Sequence, residues 1–149
     1  MKDDVLKYLK SFQVDFNNFI KKSNKDIIVA AKIISEAFKK NNKLLICGNG
    51  GSASDAQHFS AELVGRFKKD RVSLPALALN TDTSSITAIA NDYDYKMIFS
   101  RQIEGLGKKG DILLAISTSG NSQNIKEAIK IAKKKNITTI GLTGLNKSI

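Results

Sequence analysis

Three serines and a threonine fall within Ser117-Thr118-Ser119-Gly120-Asn121-Ser122, between an apolar run, Ile112–Ile116, and an amphipathic segment, Asn124–Lys135. A strand, a hydroxyl-rich loop and a helix in that order suit an anion. The hydroxyls donate hydrogen bonds, and the helix behind them adds free N–H groups and the positive end of its dipole. A phosphate can be cradled this way without a cationic side chain. A second loop, Gly48-Asn49-Gly50-Gly51-Ser52-Ala53-Ser54, follows the Leu44–Cys47 run in the same manner. Its glycines admit positive φ and close approach to a ligand. Asn49, Ser52 and Ser54 can cap the helix or bind oxygen. Taken alone, the glycine loop is explained equally well by turn and capping chemistry. The serine loop carries more hydroxyls than one cap needs, and two such loops in one sheet support each other.

The glycine loop also matches the dinucleotide spacing G-x-G-x-x-G/A, but weakly. The acidic residue due about 20 residues on is missing, with Asp82 about ten residues late. Neither loop contains Gly-Lys-Ser/Thr, so no P-loop is present.

Asp55, His58, Glu62 and Arg66 recur three, four and four residues apart, on one face of the helix expected over Ala53–Arg66. His58 and Glu62, one turn apart, can bind one metal ion, or leave Glu62 as a general base beside an imidazole. By spacing alone a solvated face with a Glu62–Arg66 ion pair is the simpler explanation, worth under about 1 kcal/mol. Position favours the chemistry, because this helix starts at the glycine loop and His58 is the only histidine. Asn91-Asp92-Tyr93-Asp94 reads as a turn whose Asn91 and Asp92 could bind sugar hydroxyls.

These groups need a scaffold, and the apolar pattern supplies one. Short runs at Lys43–Cys47, Leu74–Leu79, Asp111–Ile116 and Ile137–Leu142 read as buried strands. Between them lie helical segments at Ala53–Arg66, Ser84–Ala90, Tyr95–Leu106 and Asn124–Lys135. Alternation of this kind implies an α/β fold, a parallel sheet covered on both faces in three layers. Ligands then collect at the carboxyl ends of the strands. Before the first strand, Val5, Leu9, Phe12, Phe16 and Phe19 form one helical stripe, and Ile27, Ala30, Ile34, Ala37 and Phe38 a second. With Ser23-Asn24 as an N-cap, residues 1–41 are expected to be a helical hairpin on a 42–149 core, all one domain. The broad stripe suggests an oligomer. The chain stops at Ile149, where another strand and helix are expected, so a C-terminal truncation is inferred.

Composition narrows the class. The 149 residues carry a net charge of +10 and a single cysteine, Cys47. The lysines fall in small groups, mostly where helices are expected to end, with no interleaved aromatics; solvated helix ends explain them better than a nucleic-acid surface. No apolar run approaches the roughly 20 residues of a membrane span. The lone cysteine suits a reducing compartment, so a cytoplasmic protein without nucleic-acid or membrane partners is expected.

Taken together, Gly48-Asn49-Gly50-Gly51-Ser52, Asp55, His58-Phe59, Glu62-Leu63, Gly65-Arg66, Asn91-Asp92-Tyr93, Phe99-Ser100-Arg101, Glu104 and Ser117–Ser122 resemble the phosphoheptose isomerases of the sugar isomerase (SIS) family. The resemblance implies an SIS, flavodoxin-like sheet and interconversion of sedoheptulose 7-phosphate with D-glycero-D-manno-heptose 7-phosphate, for lipopolysaccharide or capsule. It further implies a homotetramer with sites at subunit interfaces and one zinc ion per subunit. By position, Ser117, Thr118, Ser119 and Ser122 would hold the phosphate. Asn49, Gly50, Gly51, Asn91 and Asp92 would contact the sugar. His58 and Glu62 would be zinc ligands, with Glu62 the base, a role suited to a carboxylate whose pKa is raised toward neutrality. The family's later strand and helix carry a glutamine and a histidine that complete this site. A chain ending at Ile149 is expected to keep phosphate binding and lose isomerisation. The family also includes non-catalytic sugar-phosphate sensors and a regulator of replication initiation. Retention of His58 and Glu62 favours the enzyme.

Overall fold

A computed structural model describes residues 2–144, and the chain divides into two compact units, Met1–Ile33 and Ile34–Ile149. The first unit belongs to a single helix, α1 (Lys2–Lys39), which replaces the expected hairpin. The apolar register explains the difference. Phe19, Ser23 and Ile27 are four residues apart, so Ser23 carries one stripe into the next and the two are in phase. Ser23 and Asn24 each cost only about 0.5 kcal/mol in a helix interior. No Gly or Pro interrupts residues 2–41. Lys21-Lys22 therefore lie mid-helix and not at a helix end. Within the first unit Val5, Leu9, Phe12 and Phe16 are exposed, and the rings of Phe12 and Phe16 stack with centroids 6.0 Å apart.

In the second unit the chain turns out of α1 at Asn41, whose φ of 56° is left-handed; Asn42 N–H then donates to Ala37 O at 3.0 Å. Asparagine tolerates that conformation better than most residues with a side chain. The remaining elements are β1 (Leu44–Gly48), α2 (Gly51–Val64), β2 (Ala76–Ala78), α3 (Thr83–Asp92), a 3-10 turn at Tyr95–Met97, α4 (Ile98–Leu106), β3 (Ile112–Ser117), α5 (Gln123–Lys134) and β4 (Thr138–Thr143). All four expected strands are present, and β2 is shortened to three residues just after Pro75. Asn91 and Asp92 belong to the last turn of α3 and not to a separate turn. The expectation about a later strand and helix concerns positions outside the described residues.

The strands are parallel in the order β2-β1-β3-β4, with Leu45 beside Leu77 and Leu113. Successive crossovers run first to one side of β1 and then to the other. With right-handed connections, that sends α2 to one face of the sheet and α3, α4 and α5 to the opposite face. Leu45, Cys47, Leu113 and Ala115 pack against Phe99 and Ile103 of α4 and Ile125, Ala128 and Ala132 of α5. Leu44, Ile46, Leu114 and Ile116, which alternate with them, are buried as well. Burial on both faces is why these strands read as unbroken apolar runs.

The lower ends of β1 and β3 are clamped by one carboxylate. Asp111 is fully buried and accepts from Lys43 Nζ (2.6 Å), Lys43 N–H (2.9 Å) and Lys108 N–H (2.8 Å). Burial pushes its pKa up, but the bonds from Lys43 and Lys108 outweigh that and hold it below the usual carboxylate value. Asp111→Ala should lower the unfolding free energy by about 3 kcal/mol at pH 7, the scale for breaking a buried pair. A depressed folded-state pKa means that this contribution is complete above the unfolded value, about pH 4, and is lost as pH falls through the folded one. Urea unfolding across that range should show the gap between wild type and variant narrowing in acid. A constant gap would contradict the assignment. Cys47 lies in the same core, and burial pushes its thiol up to about 12. Iodoacetamide at pH 8 should leave the folded chain unmodified and alkylate it in denaturant.

Candidate functional site

The strand order reverses between β1 and β3, and both hydroxyl- and glycine-rich loops leave the sheet there. Gly48 pairs with Ile116 in the β1–β3 register, so the loop after each strand begins beside the other. Ligands in open α/β sheets bind at such a switch point.

The serine loop is a tight turn closed by Gly120 N–H to Ser117 O at 3.1 Å. Gly120 takes a φ of 63° and is buried, a combination that a side chain would strain. Ser117, buried at the end of β3, places its Oγ 3.2 Å from Ser122 Oγ. Ser122 occupies the N-cap position of α5, yet its hydroxyl does not cap the helix. Ser119 Oγ accepts from Asn121 N–H at 3.1 Å, and Thr118 is exposed beside it. The loop thus offers hydroxyls at a helix N-terminus where none is used as a cap, an arrangement with the donors to receive an anion. Lys126 Nζ donates to Asn121 Oδ1 at 3.1 Å and adds a positive charge behind the loop.

The glycine loop is tied down from two sides. Asn80, in the turn after β2, donates from Nδ2 to Gly48 O at 2.7 Å. On the other side, Asn49 and Asn124 form a reciprocal amide pair. Asn49 Nδ2 donates to Asn124 Oδ1 (2.9 Å), and Asn124 Nδ2 donates to Asn49 Oδ1 (2.8 Å). Tyr95 Oη adds a donation to Asn49 Oδ1 at 3.3 Å. Gly48 has no room for a side chain, since a Cβ there would lie 2.6 Å from the Ser52 carbonyl oxygen. Gly50 and Gly51 are exposed at the start of α2. Between the two loops lies a cleft of ≈ 410 Å³ lined by Asn49, Asp94, Tyr95, Lys96, Ser122, Gln123 and Asn124.

His58 and Glu62 do converge, with Nε2 and Oε1 3.2 Å apart. Glu62 takes His58 as its hydrogen-bonding partner, not Arg66. They line a different cavity, a groove of ≈ 580 Å³ shared with Asp55, Phe59, Phe67 and Arg71. Arg71 seals the end of α2, its guanidinium donating to Glu62 O (2.8 Å) and Leu63 O (2.8 Å). One imidazole nitrogen and one carboxylate oxygen on adjacent turns fit two positions of a tetrahedral zinc set. Asp55 shares their groove, but among the described residues no third His, Cys, Asp or Glu stands close enough to complete a metal-binding group with them. Asn91 donates to Asp92 Oδ1 at 2.9 Å, and this exposed pair lines neither cavity.

Sequence reasoning thus found the residues of both loops and the helix face, but missed Asn80, Tyr95, Arg71 and Asn124. Asn80, Tyr95 and Asn124 act on partners far away in sequence, and Arg71 reaches back eight and nine residues across an irregular segment, so no helical or strand spacing announces them. The structure joins Asn49 with Asn124 and with Ser122 in one cleft, and leaves His58–Glu62 and Asn91–Asp92 as separate patches.

The sequence pattern of the SIS domain matches residues 7–144. A phosphoheptose isomerase from a Nitratiruptor species is 51% identical over 144 residues, covering 97% of this chain and 77% of the relative. One from Campylobacter concisus is 57% identical over 116 residues, covering 78% of this chain and 61% of its own length. Among solved structures, a phosphoheptose isomerase from Neisseria gonorrhoeae superposes with a TM-score of 0.91 at 41% identity, covering 97% of this chain and 76% of that one. A phosphoheptose isomerase from Francisella tularensis gives 0.87 at 37% identity, with 97% and 78% covered. With strand order, loops and helix face all in place, the chain belongs to the SIS domain family, among its phosphoheptose isomerases.

Proposed function

We propose that the protein is an aldose–ketose isomerase that converts sedoheptulose 7-phosphate to D-glycero-D-manno-heptose 7-phosphate. The observation that carries this reading is the paired loop ends at the switch point, with Ser117 and Ser122 hydroxyls 3.2 Å apart at the start of α5. The phosphate sits on Ser117, Thr118, Ser119 and Ser122 and on the N–H groups that remain free at the start of α5. The sugar lies along the glycine loop, against Asn49, Gly50 and Gly51, with Asn91 and Asp92 taking hydroxyls. The phosphate fixes the far end of the sugar, so binding energy remote from the reaction orients C1 and C2.

Glu62 is the base. It removes the proton on C1 of the ketose to give an enediol, and a proton returned to C2 gives the aldose. The His58–Glu62 contact at 3.2 Å keeps the carboxylate directed on its helix. A zinc ion held in part by His58 and Glu62 would supply charge stabilisation for the developing oxyanion. His58 and Glu62 line a different groove from the cradle, so a site completed by a neighbouring subunit fits these patches best. The exposed apolar stripe of α1 gives such an assembly, proposed as a homotetramer, a surface to form on. A cytoplasmic setting accords with the single thiol at Cys47, and a place in lipopolysaccharide or capsule heptose supply follows from the product. A non-catalytic sugar-phosphate regulator is not favoured, given relatives at 51% identity that are isomerases.

Two substitutions separate binding from turnover. Ser117→Ala with Ser119→Ala should weaken sedoheptulose 7-phosphate binding by about tenfold, read by calorimetry. Unchanged affinity would remove the cradle. In the full-length protein, Glu62→Gln should abolish formation of the aldose in a coupled assay while leaving the dissociation constant within about threefold. Persistent turnover would remove Glu62 as the base.

A further inference from the structure

The amide pair joining the loops has a role that neither loop explains by itself. Asn124 is buried, and its polar atoms face two ways. Its Oδ1 accepts from Ile125 N–H at 3.0 Å, inside the first turn of α5, and from Asn49 Nδ2 at 2.9 Å in the opposite loop. Its Nδ2 donates to Asn49 Oδ1 at 2.8 Å. One side chain therefore connects the N-terminus of the helix behind the serine loop to the glycine loop, 75 residues away in sequence. Asn49 is occupied in return: its Oδ1 accepts from Asn124 and Tyr95, and one of its two Nδ2 hydrogens goes to Asn124. At most one N–H of that side chain is left for a ligand.

We infer that Asn124 is a positioning residue, which acts through Asn49 to fix the separation of the phosphate-holding loop from the sugar-holding loop. The inference rests on the sugar-phosphate reading of the cleft and adds to it a division of labour. Ser117–Ser122 grips the phosphate whether or not the staple is intact. A ligand that spans both loops needs them at a set distance, and without the staple it must order them on binding. The loss should therefore fall on the ligand that spans both loops and spare the one that touches only the serine loop. A residue needed only for general stability would weaken both alike.

The experiment uses two probes on the full chain, inorganic phosphate by phosphorus NMR titration and sedoheptulose 7-phosphate by calorimetry, with folding checked by circular dichroism. Asn124→Ala should weaken the sugar phosphate by about tenfold and inorganic phosphate by less than about threefold. Adding Asn49→Ala to Asn124→Ala should weaken the sugar phosphate no further than Asn49→Ala does alone, because the two residues act as one unit. Should Asn124→Ala fail to fold, Asn124→Ser carries the same comparison, since a serine retains a local acceptor for Ile125 N–H but is too short for Asn49. Equal losses for the two probes, multiplying losses in the double variant, or no loss at all would overturn the assignment. If the wild-type chain binds neither probe, or if Ser117→Ala with Ser119→Ala leaves inorganic phosphate binding intact, the sugar-phosphate reading fails first and the positioning role falls with it.

Discussion

Hydrogen bonding between β1 and β3 is the constraint on which the rest of the site depends. These strands are separated in sequence by α2, β2, α3 and α4, yet they are neighbours in register, Leu44 beside Ile112 and Gly48 beside Ile116. Because crossovers are right-handed, the chain leaving β1 turns to one face and the chain leaving β3 turns to the other. The loop ends diverge and a gap opens between them at the carboxyl edge. Parallel strands also fix the polarity of every crossover helix, so α2 and α5 both begin at that edge with their free N–H groups toward the gap. Topology alone therefore gathers two helix N-termini at one place.

Much of this was legible beforehand, for a physical reason. A strand buried on both faces must be apolar at every position, and a strand-to-helix loop at a binding edge is built from Gly, Ser, Thr and Asn. Leu44–Gly48 and Ile112–Ser117 show both features without ambiguity. Helix continuity was harder. Ser23-Asn24 resembles an N-cap locally, but cap and helix-interior preferences differ by about 1 kcal/mol or less, and the in-phase stripe on either side decides the outcome. Phe99 and Ser100 show the opposite difficulty. Both belong to the motif that carries the family likeness, yet Phe99 is core and Ser100 donates to Met97 O at 3.1 Å, so they support the fold and not the ligand.

What sequence could not disclose is pairing across distance. Asn124 reads as an ordinary polar residue in the first turn of a helix, and Arg71 as one more cation in a basic chain. Their roles exist only once β1 stands beside β3 and residues 65–75 fold back on α2. The same holds for His58 and Glu62. Spacing correctly put them on one helical face, but only the fold shows that this face opens into a groove of its own. Charge behaves similarly: the net +10 is carried mostly by exposed lysines, while the serine loop presents hydroxyls and backbone amides.

The two central strands are held at both ends. Asp111 grips Lys43 and Lys108 where β1 and β3 begin, and the asparagine pair joins the segments where they finish. Between these fastenings every residue of both strands is buried. Opening this ridge requires breaking polar anchors and core packing together, so its backbone amides exchange with solvent only through near-global unfolding. The edge strand β4, with Thr138, Gly141 and Leu142 exposed, lacks the continuous burial of β1 and β3 and exchanges through smaller fluctuations. The sheet is thus a rigid spine with a softer margin, and the ligand loops are mounted on the spine.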